Sequence, residues 1–171
     1  MPKFIKRDAT TGRATEESTL AVSAGAGSAG RVPELDAGGK LDQSLMPSGI
    51  GADTASITAS EALAAGDYVN IWDNAGSVRV RKADANSLGK PADGYVLAAV
   101  SNAAVALVYL EGQNNQHTGL IGGTRYYLSA TVPAAVTATP VTGTGRTHQY
   151  IGKALNATTI GFEADDAIDL V

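Results

Sequence analysis

The chain of 171 residues contains no cysteine. That absence excludes a disulfide framework, a thiolate nucleophile and any zinc or iron–sulfur site built on thiolates. Long hydrophobic runs are missing as well. No apolar stretch of about 18 residues or more occurs, so no segment reads as crossing a bilayer and no membrane partner is expected. The opening MPKFIKRDATTG also lacks the apolar core of a secretory signal. The expectation is a protein made and kept inside a cell, or inside a particle assembled there. Positive charge is in short supply: 13 Lys and Arg against 17 Asp and Glu leave a formal net charge of −4. That is the wrong sign for neutralising phosphates, and no nucleic-acid partner is expected. The histidines, His117 and His148, have no second histidine or carboxylate at ligand spacing, so no metal is expected.

Aromatic residues make up only 5% of the chain, and they are unevenly placed: Phe4 stands alone before Gly51, and the other eight lie from Tyr68 onward. The part from Met1 to Gly51 is rich in Gly, Ala, Ser and Thr. Its larger apolar residues, among them Val32, Leu35, Leu41, Leu45 and Met46, follow neither a helical nor a strand period. Burying them would offset too little of the entropy lost in ordering this segment. Residues 1–51 are therefore expected to form an extended, largely irregular arm that stays loose alone or takes its order from a partner.

Several patterns in the chain suggest chemistry, and each fails on its context. Gly25, Gly27 and Gly30 spell G-x-G-x-x-G, but a dinucleotide turn must run directly into a helix. Here Arg31-Val32-Pro33 follows, and Pro33 disfavours helical geometry in the residue before it. The segment reads as a glycine-rich strap, and no cofactor is expected. Gly39-Lys40, Gly89-Lys90 and Gly152-Lys153 are followed by Leu41, Pro91 and Ala154 where a phosphate loop needs Ser or Thr. Ser18, Ser23 and Ser28 lack the frame of a hydrolase elbow. Glu163, Asp165 and Asp166 lack the loop of an EF-hand and read as a solvated turn. Asn156-Ala157-Thr158 reads as a turn too. No catalytic constellation emerges, so the protein is not expected to be an enzyme.

From Ala52 to Val171 the pattern changes. Short runs rich in Val, Ile, Tyr and Thr recur between turn residues, which predicts an all-β domain, a compact antiparallel sandwich or barrel. Strands are predicted at 54–60, 68–73, 77–82, 94–101, 104–111, 124–129, 134–139, 149–155, 158–163 and 167–171. Asp73-Asn74-Ala75-Gly76 makes 68–82 a hairpin, whose second strand alternates Val78 and Val80 with Arg79 and Arg81 for one buried and one wet face. The runs 94–101 and 104–111 are apolar on both faces. They should lie at the centre of the domain, or present one face to another subunit.

The segment from Gly30 to Pro47, GRVPELDAGGKLDQSLMP, resembles the pattern G-K-[IV]-P-x-L-D-x-x-G-K-L-D-x-S-x-[ML]-P of tailed-bacteriophage virion proteins, with Arg31 where Lys is commoner. The rest of the chain resembles small phage head decoration proteins, the cement proteins. The matching stretches are Leu63–Val69 (LAAGDYV), Gly94–Val100 (GYVLAAV), Gly123–Ser129 (GTRYYLS) and Ile151–Thr158 (IGKALNAT). The resemblance implies a protein on the outside of an icosahedral head, commonly a homotrimer, that clamps neighbouring major capsid protein subunits and catalyses nothing. Under it Pro33 and Pro47 stiffen the strap, and Phe4, Val32, Leu35, Leu41, Leu45 and Met46 are candidate capsid contacts. Lys3, Lys6 and Arg7 either meet acidic capsid surface or belong to a solvated terminus. Trp72, Tyr109 and Tyr126 are candidates for contacts between subunits.

Two other readings stand beside this one. The protein could belong to the tail, as a fibre subunit or host-binding module, although no repeat or stalk pattern is visible. Or it could be a carbohydrate-binding or hydrolytic β domain that uses Trp72, Tyr126 and Tyr127 as a stacking platform.

Overall fold

The computed structural model describes residues 2–46 and 52–171. Pro47, expected to stiffen the arm, lies outside them. The chain divides into two units, Met1–Gly51 and Ala52–Val171.

The first unit carries one regular element that its patterning does not announce. Strands β1 (Lys3–Arg7) and β2 (Ala14–Ser18) form an antiparallel hairpin with Lys3 opposite Ser18 and Arg7 opposite Ala14. The loop between them explains the turn. The Asp8 carboxylate accepts the backbone N–H groups of Thr10 at 2.9 Å and Thr11 at 2.6 Å, and the Thr11 hydroxyl at 2.8 Å. Gly12 supplies the left-handed residue, with φ 67°. Beyond the hairpin the described residues form only short 3-10 turns, at Gly25–Ser28 and Gln43–Leu45. A single parallel bridge joins Leu20 to Pro33. None of the side chains described in this unit is buried.

The second unit is all β, as its patterning predicts. Its first sheet contains β3 (Thr54–Thr58), β4 (Tyr68–Asn74), β5 (Ser77–Lys82), β6 (Gly94–Tyr95) and β7 (Val105–Tyr109), in the order β3-β7-β6-β4-β5. This sheet closes on itself: just past β3, Ala59 bridges Val80 of β5, and the Ser60 N–H donates to the Val80 carbonyl at 2.8 Å. The result is a small barrel filled by Ala59, Leu63, Val69, Val80, Val96, Ala106 and Val108.

The second sheet contains β8 (Gly112–Asn114), β9 (Arg125–Leu128), β10 (Val136–Thr137), β12 (Tyr150–Ala154) and β13 (Ile160–Phe162), in the order β10-β9-β12-β13-β8. A separate ribbon pairs β11 (Arg146–His148) with β14 (Ile168–Leu170). Leu128, Ile151 and Phe162 of the second sheet pack against Tyr68 and Tyr95 on the outside of the barrel, forming a second core. The Phe162 ring lies 5.8 Å from Tyr68 and 5.5 Å, edge-on, from Tyr95.

Three expectations need correction. The strand predicted over 94–101 ends at Tyr95, because the Val96 N–H turns to the Asp67 carbonyl at 3.0 Å and Val100 bridges Leu63 instead of continuing beside β7. The segment Arg146–His148, outside the predicted strands, is recruited by the C-terminal strand. Val78 does not share the burial of Val80: it lies at the tip of the 68–82 hairpin, beyond the core, and is 62% exposed.

Candidate interaction surfaces

The motif that carries the phage resemblance folds as a run of local turns. The Asp36 carboxylate accepts the N–H groups of Gly38 at 2.8 Å and Lys40 at 2.9 Å, and Gly39 takes φ 72°. Asp42 accepts both the N–H and the hydroxyl of Ser44, which opens the second 3-10 turn and holds the Asp42 carboxyl below the usual carboxylate range. The motif thus fixes its own backbone with Asp, Gly and Ser and leaves its apolar side chains outside. Leu35 is 60% exposed, Val32, Leu41 and Met46 are also exposed, and Phe4 and Leu45 are half-buried. The G-x-G-x-x-G stretch becomes a 3-10 turn in which the Ser28 hydroxyl accepts the Ala24 N–H at 2.8 Å. No α-helix follows it among the described residues.

Two of the basic residues of the terminus, Lys3 and Lys6, have counterions within the hairpin. Lys3 pairs with Glu16 at 2.8 Å and Lys6 with Glu17 at 3.3 Å, while Arg7 donates to the Gly12 carbonyl at 3.1 Å. Arg31 reaches Glu17 at 3.1 Å and donates to the Ser18 carbonyl at 3.0 Å. Glu34 accepts the Thr19 hydroxyl. The cluster is a patch of both signs in which Lys3 and Lys6 remain largely exposed beside their partners.

The three aromatic candidates differ in availability. Tyr126 is 7% exposed, packs with Ala154 and Ile160, and its hydroxyl accepts the Ile121 N–H at 3.1 Å. It points to the inner face of the second sheet and is occupied by the protein's own core, which corrects its assignment to a contact between subunits. Trp72 donates from Nε1 to the Ser60 hydroxyl at 3.3 Å, and the Arg81 guanidinium covers its ring at 4.4 Å. Arg81 is itself fixed by Asn70 at 2.9 Å and the Gly89 carbonyl at 3.0 Å. Tyr109 is half-buried and stacks on Tyr95 at 5.4 Å.

The more available apolar surface is on β7, whose side chains alternate. Ala106 and Val108 fill the barrel, while Val105 and Leu107 point outward, 66% and 47% exposed. Leu107 faces Ser56, and Val105 faces Thr58, across the β3 pairing. The two-sided apolar pattern of 104–111 signals this outward pair.

The inner and outer faces of the second unit also hold two polar arrangements. Inside, the Tyr68 hydroxyl lies 3.1 Å from His117 Nε2, and the rings stack at 5.7 Å. Burial pushes the Tyr68 hydroxyl up and the His117 imidazole down from their ordinary pKa values. On the outer face of the second sheet, Arg125, Tyr127, His148, Tyr150, Glu163 and Asp165 line an open concavity of about 430 Å³. Of these only Tyr127 was singled out for ligand binding from the sequence. The bulge between Tyr150 and Gly152, which aims Tyr150 outward beside Tyr127, has no sequence signal except Gly152 itself.

Among the described residues no group of three or more His, Asp or Glu could hold a metal ion, and no helix is long and apolar enough to cross a membrane. Compared with protein-family models, with curated proteins and with solved structures, the chain finds no significant match in any of the three.

Proposed function

We propose that the chain is a structural virion protein of a tailed bacteriophage, a decoration or cement protein that binds the outside of the head and clamps neighbouring major capsid protein subunits. One observation carries the reading: a β unit with three hydrophobic clusters of its own is joined to an N-terminal unit in which no described side chain is buried. A segment that fixes its backbone by local turns while exposing Val32, Leu35, Leu41 and Met46 is suited to seating those side chains in another protein. Many weak seats per particle then add up to firm attachment. The resemblance of residues 30–47 and of the four stretches in the second unit to phage virion proteins supports the same reading. The exposed Val105 and Leu107 are the residues we place in a homotrimer contact, ahead of Trp72 and Tyr109.

The test is attachment. Undecorated heads are mixed with the full chain or with residues 52–171 alone, and bound protein is measured after sedimentation. The full chain is expected to sediment with the heads and the shortened chain to remain largely free. Full attachment of residues 52–171 would move the contacts out of the arm. Labelling confined to the tail in immunogold images of virions would replace the head reading by a tail-associated, host-binding one.

A further inference from the structure

We propose that the outward face of the second sheet binds carbohydrate, at a site centred on Tyr127 and Tyr150. The two residues stand opposite each other on β9 and β12, with their rings edge to face at 5.9 Å. His148 approaches Tyr127 to 5.2 Å, and its Nδ1 is engaged with the Val141 carbonyl at 3.0 Å. The Arg125 guanidinium lies 5.7 Å from the centre of the Tyr150 ring. Glu163 and Asp165 complete the concavity.

The site is built before any ligand arrives. The segment that carries its carboxylates is tied down by backbone bonds: the Glu163 N–H donates to Ile151 at 3.0 Å and the Asp165 N–H to Tyr150 at 3.2 Å. The buried Gln149 amide adds a bond to the Asp165 carbonyl at 3.2 Å. In contrast, Arg125, Glu163 and Asp165 enter no ion pair among the described residues. Donors and acceptors of both kinds therefore converge around two tyrosine rings without neutralising one another.

That combination suits a sugar ring better than its rivals. A pyranose offers an apolar C–H face to a tyrosine ring, and hydroxyls that donate to carboxylates and accept from a guanidinium at once. A simple anion would meet two carboxylates. A simple cation would find the Tyr150 ring already attended by Arg125. The platform suggested by the sequence, Trp72 with Tyr126 and Tyr127, is thus replaced: Trp72 is covered, Tyr126 is buried, and Tyr127 works with Tyr150. The inference does not depend on the capsid reading, and either can fail alone.

The full chain, biotinylated and held on streptavidin to gain avidity, is applied to an array of neutral, acidic and sulfated glycans. Saturation-transfer NMR with methyl glycosides of the common hexoses accompanies it. Retention of a defined subset is expected, with Arg125→Ala and Glu163→Gln each weakening it about ten-fold or more at unchanged melting temperature, since each removes one polar partner from the ligand. Tyr127→Phe should keep most of the binding. Silence in both assays would overturn the proposal, and so would binding that survives both substitutions. Retention of sulfated glycans alone, competed by inorganic sulfate, would also overturn it and leave an anion site at Arg125.

Discussion

Ala75 occupies a position that most residues avoid. It and Gly76 form the two-residue turn between β4 and β5, with φ values of 52° and 85°. A turn of this kind favours Gly, which has no Cβ, or Asn, whose short polar side chain hydrogen-bonds locally, at its first position; Ala has neither advantage and is strained in the left-handed region by about 1 kcal/mol or more. Ala75→Asn should therefore raise the melting temperature of the protein by a few degrees, as thermal unfolding followed by circular dichroism would read. No gain would mean that the hairpin tip unfolds ahead of the core.

His117 makes a second prediction at this scale. Its imidazole is depressed below the ordinary 6.5 by desolvation, so the folded protein binds fewer protons here than the unfolded chain. The stability it contributes is complete above pH 6.5 and declines as the pH falls from there toward the lower, folded value. Asp67 and Asp93 are raised by burial from 3.8 and act with the opposite sign, in a window that begins near that value. His117→Gln, which keeps an acceptor for Tyr68, should flatten the change in melting temperature between about pH 7 and pH 5. A slope equal to that of the parent would assign it to other groups.

At the scale of elements, two glycines of the stretches that resemble phage proteins, Gly94 and Gly152, are spacing devices. A Cβ on Gly94 would sit 2.6 Å from the Tyr109 carbonyl oxygen, where β6 pairs with β7. A Cβ on Gly152 would run into the carbonyl oxygen of Gly161, across the β12–β13 pairing. Gly152→Ala should cost at least about 3 kcal/mol, because backbone rather than a yielding side chain stands in the way. Denaturant unfolding measures it, and a loss below about 1 kcal/mol would mean that the bulge absorbs the methyl group. These elements also show what sequence patterning can reach. The hairpin over 68–82 was legible because two strand-forming runs flank a turn ending in Gly76 and pair directly across it, although Val78 escapes burial and Ala75 takes the left-handed position. Strand β11 was not, because it exists only through pairing with β14 some twenty residues later. The N-terminal hairpin escaped for another reason: KFIKR and ATEES bury nothing, so no apolar alternation marks them, and their order rests on Asp8 and the cross-strand ion pairs. Tyr150 was passed over because a bulge, not a period, decides which way it faces.

For the whole molecule, the question is how much of its apolar surface is left for others. The barrel and the second sheet consume Tyr68, Tyr95, Leu128, Ile151 and Phe162 internally, and an exposed pair remains on β7, Val105 and Leu107. Adjacent outward apolar residues on a sheet whose other face is already packed are suited to a contact between copies of the chain, where charged residues are depleted. If the proposed homotrimer forms through this face, Leu107→Lys should convert trimers to monomers in sedimentation velocity. The fold should be untouched, since the side chain lies outside the barrel and its neighbour Ser56 leaves room for a longer one. Attachment to heads should weaken with it, because a monomer presents one arm where a trimer presents three and loses the multivalent gain. A Leu107→Lys protein that still sediments as the parent does would place the self-contact elsewhere. One that is monomeric yet decorates heads undiminished would show that the arm suffices without the trimer.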